Sequence, residues 1–492
     1  MRIYLLNPPF LPNFVRCGRW QGVVARGGGM DYPKWLAYAT GILDADSHTV
    51  RLIDAPANKW DRKKVLEDAT AFAPDLIIVD SNFSSLENDI EVTAELKRSI
   101  SAVTVLVGPP TSQFADRILG NPGIDVVARY EYDFTTREIA RALAAGRGFE
   151  DIEGISYKSG SSIIHNKDRE FTNSEDLETI PFVSEVYKKH LEIKQYFLTQ
   201  SLYPVIQIFT GRGCPFKCSF CVWPETLMGR KYRARTAKNI VDEFQYIKTE
   251  LPEIREIFIE DDTFTIDKVL VKDVCSDILK RNLRLIWSCN ARATLDFETM
   301  KIMKQAGCRQ IIVGYESGND EILKTISKGT DVKQLREFTK AAKKAGLLIQ
   351  GDFIIGLPGE TKDTAENTIR FIKEIKPNIL QVAVATPMPG TEFYRWASKS
   401  GFLIHPKMED SIDKNGFQKC IVSYPELTDK DIEHYVDHAL KEYYLNLSFI
   451  PIALRNILRR NGFYELQIML RSSKAFLGYL GRPQSRFNKG NP

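Results

Sequence analysis

The sequence is poor in the residues that staple or anchor a protein. Its 492 residues include eight cysteines and six histidines. That is too few for a disulfide framework, and in a reducing compartment any thiol cluster points to metal binding or catalysis. No apolar run reaches the roughly 18 residues that a membrane span needs. The opening MRIYLLNPPF meets a proline pair before it is long enough for a secretory core, and it offers no small-residue cleavage site. A cytoplasmic location is therefore expected. Internal repeats and low-complexity tracts are absent. No G-x-G-x-x-G follows the first strand, which argues against a nicotinamide cofactor. What is present is ordinary for a folded chain, with 43% hydrophobic and 26% charged residues. The net charge of +4 is unevenly spread, because residues 448–492 hold eight Lys/Arg against the single acid Glu465.

Strands and helices alternate from the start. RIYLLNPP, TVRLIDAP, PDLIIVDSN, AVTVLVGPPTS and IDVVARYEY read as strands. YPKWLAYATGIL, DRKKVLEDATAF, LENDIEVTAELKRSI, FADRILG and DFTTREIARALAAGR read as helices. Near-continuous apolar strands between helices predict a doubly wound, Rossmann-like α/β domain over residues 1–150. Residues 151–203 read as a linker with a small hairpin around Ser159–Ser162. Six further β/α units fill 204–395, with strands near Val205–Phe209, Ile257–Glu260, Arg284–Asn290, Gln310–Tyr315, Leu348–Ile355 and Ile379–Thr386. A complete eight-stranded barrel typically takes ~250 residues, so a partial (β/α)6 barrel of the TIM type is expected. Residues 396–492 form a mostly helical, basic end. Within it, 449–480 places apolar residues at helical spacing with arginine opposite. Two readings of that tail stand: a helical pair docked on the barrel, or peripheral attachment to anionic lipid.

The chemistry concentrates in GRGCPFKCSFC, where Cys214, Cys218 and Cys221 have the spacing C-x3-C-x2-C. They lie in the loop that leaves the first barrel strand, at the end where barrels collect their active sites. Zinc would want a fourth ligand and commonly a C-x2-C pair. Three thiolates in a tight loop suit an iron–sulfur cube with one iron left open to another ligand. Phe216 and Phe220 would shield it.

Here the sequence resembles the radical S-adenosylmethionine (SAM) superfamily. The resemblance runs on through IEDDTFT (Ile259–Thr265), SCNARA (Ser288–Ala293), VGYESG (Val313–Gly318) and GDFIIGLPGET (Gly351–Thr361), at successive strand ends and in the family's order. It implies a 4Fe-4S cluster on the three cysteines, and SAM contacts from Glu260, Asp261, Asp262, Asn290, Arg292, Gly314, Glu316, Ser317 and Gly356. It also implies reductive cleavage of SAM to a 5′-deoxyadenosyl radical and an electron donor such as flavodoxin or ferredoxin; no nucleic-acid partner is expected.

The first 150 residues, through NPP, DAP, DSNFSS, VGPPTS and RYEYDF, resemble the cobalamin-binding domain of cobalamin-dependent radical SAM enzymes. This second resemblance implies cobalamin contacts from Pro8, Ser81, Ser84, Gly108, Pro109, Thr111, Tyr130 and Glu131. The motif Asp-x-His-x-x-Gly is missing, and His48 is the only histidine before residue 150, so no protein histidine is expected on cobalt. The group implies methylation of an unactivated centre; a small-molecule substrate is expected, or a lipid-linked one if the 449–480 tail attaches to lipid. A minority branch forms rings or oxidises without methyl transfer, and Trp223-Pro224 is similar to that branch. RNA-methylthiolating relatives carry three more cysteines in the first domain, where this chain has Cys17 alone. A non-catalytic cobalamin carrier is opposed by the five barrel motifs. No side chain is assigned a catalytic step. Arg212, Arg230, Lys231, Arg233 and Arg235 form either a basic rim for an anionic substrate or a solvated helix approach. The Gly-rich Cys17–Lys34 loop is long for a strand-to-helix connection and could reach over the cobalamin towards the barrel.

Overall fold

Five runs rich in Ile, Leu and Val pair in parallel in the order Thr49–Asp54, Arg2–Asn7, Leu76–Asp80, Val103–Val107, Val126–Ala128. The computed structural model describes residues 1–18, 21–459 and 461–481. Arg19 and Trp20 of the Gly-rich loop, Arg460, and 482–492 of the basic tail lie outside them. The hairpin read as linker extends this sheet. Ile155–Ser159 pairs antiparallel with Val126–Ala128, and Ser162–His165 pairs with it in turn. The hairpin covers an edge that would otherwise present unpaired backbone.

Side chains alternate between the two faces of this sheet. Tyr4, Leu6, Ile77 and Val79 enter a local core beneath the Arg62–Phe72 and Leu86–Ser99 helices. Ile3, Leu5, Ile78 and Val105 face the other way, into a core that continues without a break into the barrel. The barrel strands are Val205–Ile208, Glu256–Ile259, Trp287–Ala291, Cys308–Glu316, Leu348–Ile355 and Ile379–Val384. All are parallel and paired in chain order. They form a curled half-barrel, as the six-unit pattern predicts.

The Lys34–Ala45 helix joins the two sheets. Every residue from Lys34 to Leu43 is buried, as expected of a helix enclosed on all sides. Trp35 lies against Phe209 (ring centroids 5.2 Å apart) and stacks with Trp223 (6.4 Å). The Tyr38 hydroxyl accepts from Phe209 N (2.8 Å) and donates to Phe209 O (3.3 Å). Just ahead of the helix, Tyr32 is stacked between Tyr187 (4.1 Å) and Tyr196 (4.0 Å) and donates to Val205 O (2.9 Å). First-domain side chains thus clasp both ends of the barrel's first strand.

Truncating Trp35 to Ala removes a large buried ring from this junction. The cost expected for a buried aromatic is about 3–5 kcal/mol. The measurement is chemical denaturation followed by probes in each sheet; their transitions should fall to lower denaturant and separate. Coincident, unshifted transitions would contradict the role given to this helix.

Candidate active site

The cysteine loop is framed before it reaches its first thiol. Asp261, just past the second barrel strand, accepts from Thr210 N and Oγ1 (both 2.6 Å) and from the Tyr232 hydroxyl (3.1 Å). Burial pushes its carboxyl up to about 6. Gly213 has φ +89°, and a Cβ there would stand 2.2 Å from Lys231 O, so only glycine fits.

The arginines around the loop do not form a rim. Arg212, Arg233 and Arg235 are buried. Arg212 pairs with Asp133 (2.6 and 3.1 Å) and lies 4.7 Å over the Trp35 ring. Arg233 meets both oxygens of Glu131 at 2.9 Å, and Arg235 pairs with Glu243 at 2.5 Å. Arg230 pairs with Glu225, which leaves Lys231 as the exposed member. Both readings of this cluster, basic rim and solvated approach, are corrected. Arg212 and Arg233 are cross-braces between the first sheet and the barrel, because a buried guanidinium needs a carboxylate partner.

Cys214, Cys218 and Cys221 line one cavity at the carboxyl ends of the barrel strands, enclosing about 1030 Å³ including its open mouth. Asp262, Asn290, Arg292, Gly314 and Glu316 line it with them. Arg292 Nη1 stands 3.9 Å from Cys218 Sγ, with its guanidinium 3.6 Å over the Phe216 ring. Asn290 donates to Asp261 O (2.9 Å).

Glu316 is aimed by a backbone irregularity. The strand register shifts between Gly314 and Glu316, and Glu316 takes φ +63°, a strained setting for a non-glycine residue. Its Oε1 accepts from Lys328 Nζ at 2.6 Å. A Cβ on Gly314 would stand 2.2 Å from that same oxygen. The Gly-x-Glu spacing therefore holds a buried ion pair, whose lysine had no motif to announce it.

Other predicted SAM residues serve behind the wall. Glu260 accepts from Gln207 (3.0 Å) and faces Lys34 at 3.8 Å. Ser317 meets Thr368 (3.2 Å). Gly356, at φ +96°, donates its N–H to Glu360 Oε2 (2.5 Å) and accepts from the Tyr424 hydroxyl (2.7 Å). Neither these three nor Asp261 lines the cavity. Residues that do, and that pattern reasoning missed, are Lys328, Asp352, Leu357, Met388, Gln21 and Gln418.

The residues assigned to cobalamin gather mostly at the carboxyl edge of the first sheet. Ser84 Oγ donates to Gly22 O (2.7 Å) and Thr111 Oγ1 to Ala128 O (2.7 Å). Gly108, before Pro109, has its Cβ position 2.2 Å from Ser81 O. Ser81 Oγ is buried with no hydrogen-bond partner among the described residues. Pro8 O accepts from the buried Arg16. Tyr130 packs edge-on against Phe171, with ring centroids 5.7 Å apart. Glu131 is taken by Arg233. The Gly-rich loop does run to the barrel: Val24 N donates to Gly416 O (2.7 Å), Arg26 donates to Val382 O, and Gln21 enters the cavity wall.

Comparison with known proteins agrees with this layout. The family model described as "Radical SAM superfamily" matches residues 208–372, and the B12 binding domain model matches 20–140. A protein of Pyrococcus horikoshii, named an uncharacterized methyltransferase, is 30% identical over 76% of this chain and 80% of its own length. This chain belongs to the radical SAM superfamily, with a B12-binding domain. An anaerobic magnesium-protoporphyrin IX monomethyl ester cyclase of Rubrivivax gelatinosus is 25% identical over 84% of this chain and 78% of its own. The radical SAM methyltransferase TsrM of Kitasatospora setae, solved with cobalamin and a [4Fe-4S] cluster bound, shares the fold. It has a TM-score of 0.70 at 17% identity, over 96% of this chain and 99% of its own.

The residues present fit the cofactors of a radical SAM protein of this kind. Among the described residues no three candidate ligands converge on a point that would hold a single metal ion. The thiolates of an iron–sulfur cube bind different irons and need no such point. The buried, unpartnered Ser81 hydroxyl leaves a hydrogen-bond position open to a bound group beside the small loops at this sheet edge.

Lys328→Met leaves the Glu316 carboxylate buried without its partner, a situation that costs about 3–5 kcal/mol when an ion pair is broken. SAM affinity by equilibrium dialysis should fall about tenfold, or ~1.4 kcal/mol, with iron–sulfur absorbance unchanged. Lys328→Arg should recover part of the loss. Burial pushes Glu360 up to about 8 from its ordinary 4.5. The folded state therefore keeps a proton that the unfolded state loses between those values, and stability falls as pH rises across that window. Glu360→Gln keeps the acceptor for Gly356 N and Leu357 N. Its thermal midpoint should exceed wild type at pH 8 and show a flatter decline from pH 5.

Proposed function

We propose that this radical SAM protein is a cobalamin-dependent methyltransferase that acts on an unactivated centre of a small molecule. One observation carries the reading. The cavity that holds the three thiols is walled on another side by Gln21, from the segment matched by the B12-binding domain, and by Gln418. Methylation of an unreactive centre needs a hydrogen-abstracting group and a methyl donor to reach one substrate atom, and a cavity shared by the two domains allows that. When bound, the cluster with SAM supplies the radical and the cobalamin supplies the methyl group.

The chain's own residues position and protect. Arg292 places a fixed positive charge beside Cys218. The Glu316–Lys328 pair presents a charged, hydrogen-bonding wall in the position where the family meets SAM. Ile312, Ile354, Leu357, Ala383 and Met388 add apolar surface between the polar groups of the lining, which limits water around a reactive intermediate. Reduction of the cluster calls for an electron donor of the flavodoxin or ferredoxin type. The name of the Pyrococcus relative supports methyl transfer.

The cyclase from Rubrivivax supports a second reading, oxidation or ring formation without methylation. Methyl-deuterated SAM separates them under anaerobic, reducing conditions. Methyl transfer predicts a product three mass units heavier than the one from unlabelled SAM. A product with the same mass from either SAM, formed alongside 5′-deoxyadenosine, would overturn it in favour of the second reading.

A further inference from the structure

The last two helices carry a surface that neither the fold nor the active site uses. Ile450–Ile457 and Gly462–Leu480 pack together at the end of the chain. Their inner side is well anchored. Glu465 pairs with the buried Arg309 (2.8 Å), the Tyr479 hydroxyl donates to Asp437 (2.6 Å), and Phe476 packs on Tyr444 (5.3 Å).

A helix docked on a barrel by one face ordinarily shows polar residues on the other. Here the outer side is apolar. Ile450, Leu454 and Leu458 recur every four residues on the first helix and its cap, preceded by Leu447. Phe463, Leu466, Leu470 and Leu477 recur every three to seven on the second. Leu458 is 83% and Leu447 79% exposed, so these are not edges of a core. Contiguous exposed apolar side chains of this kind mark an interaction site.

The charge on this surface selects the partner. Arg455 and Lys474 are exposed among the apolar side chains, and Arg471, at the helix edge, lays its guanidinium over the Phe197 and Tyr203 rings. The only acid after Asp437 and Glu442 is Glu465, which is buried against Arg309. A protein groove would commonly offer charges of both signs and meet some of each. An apolar stripe flanked by cations, on two helices whose one acid is buried, matches a negatively charged lipid surface. Among the described residues no helix is long and apolar enough to cross a membrane, so the geometry is that of a pair lying flat in the headgroup layer. We propose that 447–477 docks the protein onto anionic bilayers. The surface also connects to the cavity. Gly27 and Gly28 of the loop that contributes Gln21 rest against Ser472 and Ala475, on the inner side of the Gly462–Leu480 helix.

The test uses the full chain and co-sedimentation with phosphatidylcholine vesicles, with and without phosphatidylglycerol. Binding should require phosphatidylglycerol and weaken as salt is raised. The exposed triple variant Leu454→Glu/Leu458→Glu/Leu470→Glu should reduce it at least about tenfold with an unchanged thermal midpoint. If that variant does not fold, Arg455→Glu/Lys474→Glu should give the same direction of loss. Absence of binding at low salt, or equal binding by the folded variants, would overturn the proposal. So would a wild-type dimer dispersed by the same substitutions, which would assign the face to a second copy of the chain. The deuterated-SAM experiment in solution does not depend on this surface, so failure of one leaves the other standing.

Discussion

The protein depends on burial of the Lys34–Ala45 helix between two parallel sheets. A helix buried on every side has no solvent-facing stripe on which to place polar residues, and YPKWLAYATGIL has almost none. The ion pairs Arg212–Asp133 and Arg233–Glu131 border the same junction, each joining the cysteine-loop region to the loop and helix that follow the Val126–Ala128 strand. Such pairs add little net stability, since desolvation offsets most of their attraction, but breaking one is costly. They therefore fix the relation between the domains more than they strengthen it. The cysteine loop starts beside Arg212, so the position of the thiols relative to the first domain follows from this junction.

Within the cavity, the backbone does much of the placing. Gly213 and Gly314 each stand where a Cβ would strike a neighbouring group. Their effect is to let one chain pass close to another and let a charged side chain turn inward. Asp261, which looks like a ligand by position, ties the first two strand ends together. Glu360 closes the loop after the fifth strand on itself by accepting from Gly356 N and Leu357 N. The cavity thus has an inner wall of groups that face it and an outer wall of groups that hold those in place, both drawn from the same short motifs.

That division explains how much was legible beforehand. Strand patterning located all six barrel strands, Leu348–Ile355 to the residue, because each is a short stretch with buried apolar residues set between helical patterns. The cysteine triad and Gly314–Glu316 were legible because cofactor chemistry restricts residue types at close spacing. Lys328 and Gln418 were not, since each reaches the cavity through tertiary folding from a stretch without pattern, and Asp352 sits in a quoted motif that does not show which of its residues turn inward. The arginines near the cluster were misread because a count of charges does not show their partners, and Asp133, Glu131 and Glu243 lie 8 to 102 residues away in sequence. The hairpin at 155–165 reads as linker in sequence because a short two-strand ribbon gives no sign that it borders a sheet.

The enclosed helix also bears on how such enzymes could be rebuilt. The chain looks modular, and an obvious place to exchange one half for that of a relative is the stretch between the two sheets. Yet Tyr32, Trp35 and Tyr38 come from the first half and close on Val205 and Phe209 of the second. A crossover in that stretch would pair a helix shaped for one strand with a strand shaped for another helix. Recombination that spares the contact must keep residues 32–45 and 205–212 from the same parent, so the natural unit of exchange is the pair of domains together.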